Sequence, residues 1–544
     1  MHVRLFSWRF VFKIGLFAGL FFFTLAPGAA LAASIKLAWD ANTESDISGY
    51  GVSYRSADGQ HRGVVMVGRT TTATISRLRS GQNYTFYVVA YNSVGLSSGP
   101  STEVSGVPSG PDEDPVPIPT EGTKTYFAEG AAGVFSYRLA LLNTTGAETS
   151  ATVSFLREGD TPVQRVYNLP SLTRVTVNAA DVPELRNTSF GTILSTGPGV
   201  VAERTMGWNA GGAMAGSHTA KAIVSPSKTW YLAEGNAGFF DTFVLLANPQ
   251  TSPTNVTVDF LLDDGQVVSK PYTLPALGRQ TVYANEIPEL LTRSFGTTVH
   301  ADQPILCERA MYFKGGESMF KGGSSSAAVP SGATHWFLAE GQTGDFFETF
   351  VLLANPNSEP VNVTIRYLTN NGVAKVETIT MAPTSRTTIV ADAIPEIAAT
   401  DVSFDIAATK PIIAERSMYW GPWLEAHNSM GITDLGTSWG LAEGEVGGPF
   451  GANSYILLAN PGSQAADVTL TFYREAGLPP LQLTRTVQAG TRVTVQASDA
   501  GFGGHEKFGA IINSTQPIAV ERSIYWNEGG TWGSGTNETG TRLQ

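Results

Sequence analysis

Apolar and polar residues alternate with a period of two along most of this chain, in short runs that end at Asn, Gly or Pro. Such runs read as β-strands bounded by turns. Thr152–Leu156, Val256–Leu261, Val361–Leu368 and Val468–Tyr473 alternate in this way. Each follows an apolar run closed by asparagine: Leu139–Asn143, Phe243–Asn248, Phe350–Asn355 and Tyr455–Asn460. Pro249, Pro356 and Pro461 then mark turns, because proline withholds a ladder donor. A hairpin comes next, with Asp264-Gly265 and Asn371-Gly372 as its clearest tips. Arg174, Arg279, Arg386 and Arg492 open a further strand, with Pro-Glu nine residues on at Pro183, Pro288 and Pro395 but Gly501 in the last copy. Strands opening at Phe190, Phe295, Phe404 and Phe508 lead into Glu203-Arg204, Glu308-Arg309, Glu415-Arg416 and Glu521-Arg522. The arginines of these four copies are 105, 107 and 106 residues apart.

A period of that length is a domain, not a solenoid unit. About seven short strands in ~105 residues is what an immunoglobulin-like sandwich needs. A β-propeller with two blades per unit is the rival, although propeller repeats usually recur every ~40–50 residues. Each unit also opens with an aromatic residue and Ala-Glu-Gly, at Tyr126 and Glu129, Trp230 and Glu234, Trp336 and Glu340, Trp439 and Glu443. These marks resemble an uncharacterised domain found in tandem in secreted, surface-associated bacterial proteins. The resemblance implies an extracellular β domain and no particular activity.

Upstream, Ile35–Trp39, Tyr50–Tyr54, Gly63–Gly68, Thr72–Ile75 and Asn83–Tyr91 read as strands. Trp39, the series Leu78, Gly81, Tyr84 and Phe86, and Tyr91-Asn92-Ser93-Val94-Gly95 resemble a fibronectin type III domain. That resemblance implies a core tryptophan, a tyrosine corner and a spacer or docking module. The expected layout is a signal peptide at 1–32, this domain at 33–108, a linker at 109–122, and repeats at 123–228, 229–334, 335–438 and 439–544. The fold class is all-β, with five tandem β-sandwiches in a rod-like array. The linker region Gly106–Gly122 holds five prolines and the acidic run Asp112–Asp114. As polyproline II it would span roughly 50 Å.

Arg4, Arg9 and Lys13 precede an apolar run, and Ala30-Leu31-Ala32 suits signal peptidase, so export with cleavage after Ala32 is expected. Nothing later in the chain reads as a membrane-inserted segment. Removing Met1–Ala32 takes three residues from 35 basic ones and none from 47 acidic ones, leaving a net charge of −15. That surface disfavours nucleic acid. The single cysteine, Cys307, stands where the other repeats have Ala202, Ala414 and Val520, which marks a core position.

Paired carboxylates such as Glu129 and Glu203 could cleave a glycosidic bond. The same charges recur in every unit, however, and an active site usually occurs once, on loops. The expectation is therefore structural: Glu129, Glu234, Glu340 and Glu443 each pair with the arginine of their own unit, Arg204, Arg309, Arg416 and Arg522. No zinc-ligand spacing, nucleophile elbow or phosphate loop is present, so no cofactor and no reaction is expected. Trp208, Trp420, Trp423, Trp526 and Trp532 are the candidate sugar-stacking rings. The sequence thus points to a secreted, non-enzymatic surface, adhesion or matrix scaffold, a monomeric rod with an extracellular protein or polysaccharide as partner. The alternative is a carbohydrate-binding accessory to a polysaccharide-degrading enzyme.

Overall fold

The structure, a computed structural model, describes residues 14–15, 35–42, 44, 47–57, 62–67, 71–75, 78, 81–92, 98, 100–108, 122–133, 135–157, 162–210, 213–314, 320–421, 425–475, 478–526 and 533–543. It divides into two compact units, Met1–Thr120 with Val182–Arg186, and Glu121–Asp181 with Asn187–Gln544. Strands build both, and short 3-10 turns are the only helical elements among the described residues.

In the first unit, Arg62–Val67, Ile47–Ser56, Tyr84–Asn92 and Val104–Gly106 form one sheet in that order. Ile35–Trp39 pairs with Thr72–Ile75 in the other. Alternation along Tyr84–Asn92 turns Tyr84, Phe86, Val88 and Ala90 inward. Trp39 meets Tyr50 edge-on, with ring centroids 5.5 Å apart. The expected signal segment lies outside the described residues except for Ile14–Gly15, which pairs with Trp39 and Ala38. Residues 109–121 of the linker also lie outside them.

The second unit repeats one eight-strand pattern four times. In repeat 1 the strands are Thr123–Phe127, Phe135–Asn143, Thr149–Arg157, Val163–Leu169, Arg174–Asn178, Phe190–Thr196, Val200–Ala210 and Ala213–Lys221. The fourth, third, sixth and first make one antiparallel sheet, and the fifth, second, seventh and eighth make the other. In repeats 2 to 4 the sixth and seventh strands run on as one, Phe295–Lys314, Ser403–Trp420 and Glu506–Trp526, and join the two sheets. The inner faces meet over a core, which in repeat 4 includes Ile456, Leu458, Val468, Leu470, Phe472, Phe508, Ile512 and Ile518. This is the sandwich the alternation implied.

The asparagine that closes each second strand does more than tolerate a turn. Its side-chain amide donates to two loop carbonyls, as Asn248 does to Ser252 and Pro275 at 2.8 and 2.9 Å, and Asn355 to Glu359 and Ala382 at 3.0 and 2.7 Å. All four asparagines are fully buried. Each therefore satisfies carbonyls that a buried turn would leave unpaired.

The outer faces are not left to water. The first sheet of each repeat packs on the second sheet of the next. Close approach is made by glycine on the sixth strand: a Cβ at Gly296 would lie 3.3 Å from Ala354 of repeat 3. Gly509 of repeat 4 stands in the same relation to Leu142 of repeat 1, where a Cβ would come within 2.9 Å. Ala140, Leu142 and Val201 of repeat 1 pack with Ala442, Tyr473, Ile511 and Leu543 of repeat 4. The eighth strands, Ala213–Lys221, Phe320–Ala327, Glu425–Met430 and Ser534–Thr539, adjoin one another in cyclic order. The four repeats are therefore a closed ring, and the expected rod is corrected for them. The outer face of the second sheet of repeat 1 is apolar at Ala140, Leu142 and Val201, and repeat 4 covers it. Two sheets per repeat and circular closure combine features of the sandwich and of its propeller rival.

Candidate functional site

Successive side chains on a strand point to opposite faces. In each seventh strand the glutamate accordingly faces the preceding repeat, and the arginine reaches its own repeat and the following one. Between repeats 2 and 3, Arg309 lies 3.1 Å from Glu234 and 2.8 Å from Glu415. The Ala233 backbone N–H donates to Glu415 at 2.6 Å, and Arg309 donates to the Glu234 carbonyl at 2.8 Å. Between repeats 1 and 2, Arg204 meets Glu129 at 2.8 Å and also Glu308, while the Ala128 N–H donates to Glu308 at 2.7 Å. Between repeats 3 and 4, Arg416 is 2.9 Å from both Glu340 and Glu521. All these arginine side chains are fully buried.

The Ala-Glu-Gly signature follows from this geometry. Alanine presents its N–H, glutamate takes the arginine, and glycine makes room. A Cβ at Gly235 would stand 2.3 Å from the Phe295 ring. The arginine that opens each fifth strand balances the charge. Arg279 acts on Glu129, Arg386 on Glu234 and Glu415, and Arg492 on Glu340 and Glu521. Each of these three junctions thus brings two glutamates and two arginines together, with Asp401 added at 2.6 Å from Arg492.

The junction between repeats 4 and 1 is built differently. Arg522 lies 3.2 Å from Glu203 and donates to the Glu443 carbonyl at 2.9 Å. The Ala442 N–H donates to Glu203 at 2.9 Å. The Glu443 carboxylate, however, turns to Arg138 at 2.9 Å and Arg174 at 2.5 Å, so its expected side-chain pair with Arg522 is corrected. At the other junctions the hydroxyls of Tyr312, Tyr419 and Tyr525 donate to Glu129, Glu234 and Glu340 at 3.2, 3.3 and 3.2 Å. Repeat 1 has Gly207 at that place and cannot. It also has Arg138 where the others have Phe243, Phe350 and Tyr455. Burial alone would raise Glu443, but Arg138 and Arg174 outweigh it and hold the carboxyl down at about 2. Glu203 goes the other way, pushed up to about 7 by burial despite Arg522.

The candidate stacking rings are corrected as well. Trp208, Trp420 and Trp526 are 3%, 2% and 1% exposed, so none offers a face to a sugar. Both faces of the seventh strand are covered. Trp208 meets Tyr312 of the next repeat edge-on at 5.3 Å, and Trp420 meets Tyr525 likewise at 5.3 Å. Trp423 and Trp532 lie outside the described residues. His218 and His427 complete these clusters, bonding the hydroxyls of Tyr312 and Tyr525 at 3.0 and 2.8 Å. Burial holds both imidazoles neutral, His218 down to about 4. Cys307 is buried in the core, its thiol pushed far up by burial.

Among the described residues no group of three or more His, Cys, Asp or Glu could hold a metal ion. No helix there is long and apolar enough to cross a membrane. In the sequence Glu203 figures only as half of a catalytic pair; the place of each Glu-Arg glutamate at a junction, the bond from the tyrosine three residues past the arginine, and the partners of the fifth-strand arginine were not anticipated. Their signal is recurrence at a constant offset from the arginine in three or four copies.

Residues 29–107 match the fibronectin type III domain family. No curated relative matches the chain. Solved structures with some likeness include the fibronectin domains FN1-FN3 of chicken CNTN1, at 12% identity over 59% of this chain and 95% of that one, TM-score 0.12. A Ca2+-stabilized adhesin of an Antarctic bacterium that binds ice is 12% identical over 74% and 94%, TM-score 0.11. An alpha-L-rhamnosidase of Streptomyces avermitilis is 10% identical over 76% of this chain, TM-score 0.11, and this chain spans 57% of its length. Likenesses this slight carry no argument about ligand or reaction.

Two outcomes are expected from the charge ring. Arg416→Ala strands Glu340 and Glu521 and should cost about 3–5 kcal/mol of stability; an unchanged thermal melt would contradict the assignment. Glu443 has a folded pKa below its unfolded one, so its contribution is present above 4.5 and is lost as pH falls toward about 2. The melting temperature of Glu443→Gln should lie below that of the parent at neutral pH, and the gap should close through that window. A constant gap would contradict the pairing with Arg138 and Arg174.

Proposed function

We propose that this chain is an exported, non-enzymatic surface or matrix protein, in which a fibronectin type III domain accompanies a rigid four-repeat ring that serves as a scaffold for protein or envelope attachment. The observation that carries the reading is the fate of the recurring charges. Glu129, Glu203 and their counterparts are buried and engaged by arginines at the junctions, which leaves them no access to a substrate. The buried Trp208, Trp420 and Trp526 favour attachment through protein surfaces over sugar stacking. The signal segment and the resemblance of the repeats to a surface-associated bacterial domain support export. Cleavage after Ala32 would release a monomer carrying no cofactor.

The test is binding of the purified mature chain to envelope fractions of the producing cell. The expected result is saturable binding that is abolished by protease treatment of the envelopes. Protease-insensitive binding that is reproduced on a glycan array and lost in Trp423→Ala and Trp532→Ala would overturn this reading in favour of carbohydrate binding.

A further inference from the structure

A cavity of ≈ 680 Å³ opens at one end of the ring, lined by all four repeats. Equivalent positions just past each eighth strand meet there: Ala222, Ala328, Gly431 and Gly540. Near the centre of a four-part ring, one side chain can fill the middle only where the other three leave space. The positions are accordingly small, and a void is the consequence. Its volume lies in the range of small-molecule sites, ~300–1,000 Å³.

The next position in each repeat is apolar in three of the four copies, Ile223, Val329 and Ile432, with Thr541 in the last. Charge is confined to the rim and is unevenly placed. Lys221 of repeat 1, Arg542 of repeat 4 and Asp434 of repeat 3 supply it, and Arg542 reaches toward the residue that follows Asp434. Arg542 is exposed and makes one long bond of 3.4 Å to the Leu435 carbonyl. Lys221 gives one of its three ammonium hydrogens to Thr539, at 2.6 Å. Both cations therefore keep donors free among the lining residues of the cavity.

We infer that this cavity binds a small molecule with an apolar body and a single anionic end, such as a medium-chain carboxylate, its tail on Ile223, Val329 and Ile432 and its head between Lys221 and Arg542. The inference is independent of the scaffold reading, because it concerns the ring alone. Asp434, next to the Leu435 whose carbonyl takes Arg542, opposes an anion at that guanidinium, and the two cations outnumber it.

The test uses the full chain with 8-anilinonaphthalene-1-sulfonate as fluorescent probe and octanoate, octylammonium and octyl glucoside as competitors. Octanoate should displace the probe, and neither the cation nor the neutral glycoside should do so at equal concentration. Arg542→Glu, on an exposed side chain, should weaken octanoate about tenfold or more, the worth of one charge-assisted hydrogen bond. Asp434→Asn should tighten it. Val329→Trp should abolish binding by filling the cup; if that variant fails to fold, the Arg542 and Asp434 variants still decide. Equal displacement by all three competitors, or octanoate affinity unchanged in Arg542→Glu, would overturn the assignment.

Discussion

The ring depends on a buried arginine held, at three of its four junctions, between two glutamates that belong to different repeats. A guanidinium taken out of water needs good geometry and satisfied donors to be tolerated. Arg309 obtains both its carboxylate partners only when repeat 3 is seated on repeat 2, because Glu415 comes from one and Glu234 from the other. The Ala233 N–H then completes Glu415. Separating the repeats would expose apolar sheet faces and break this network together. The repeats are thus coupled electrostatically as well as by packing, and each junction permits one register.

Charge balance explains the rest of the pattern. The two carboxylates at a junction carry one negative charge more than the seventh-strand arginine neutralises. The fifth-strand arginine of the following repeat removes the excess, as Arg174 does for Glu443 in direct contact. At the closing junction three arginines, Arg138, Arg174 and Arg522, meet Glu203 and Glu443, and Glu445 and Glu475 also contact Arg138 and Arg174. Gly207 and Arg138 replace a tyrosine and an aromatic ring, and a second arginine takes over the bonds a hydroxyl makes elsewhere. Repeat 1 is therefore marked chemically as the partner of repeat 4. Such marking distinguishes closure from continued stacking onto a further copy, in the way that polar residues set register in other repeated assemblies.

Much of this was legible in the chain. The period, the alternating strands and the Asp264-Gly265 and Asn371-Gly372 tips are local signals, and they gave sandwiches. The glutamate of Ala-Glu-Gly and the arginine of Glu-Arg stood out by recurrence. Closure was not legible, because Glu203 and Ala442 meet across 239 residues and no local pattern names so distant a partner. The aromatic residues misled for a related reason. Alternation assigns Trp208 and Trp420 to a strand face, but only the packing of the next repeat determines whether that face is wet. Asp405 shows the limit in another way: it replaces the sixth-strand glycine and is accommodated by Arg366 at 2.6 Å.

The closed ring is tested most directly by a cysteine pair across the last junction. Ser217 of repeat 1 and Ser534 of repeat 4 are buried, with hydroxyl oxygens 3.1 Å apart and 317 residues between them. In a Cys307→Ser background, Ser217→Cys with Ser534→Cys should form one disulfide within the monomer under mild oxidation, seen as loss of both thiols and faster migration on a non-reducing gel. Two thiols that remain free, or that pair only between chains, would contradict closure and restore the rod.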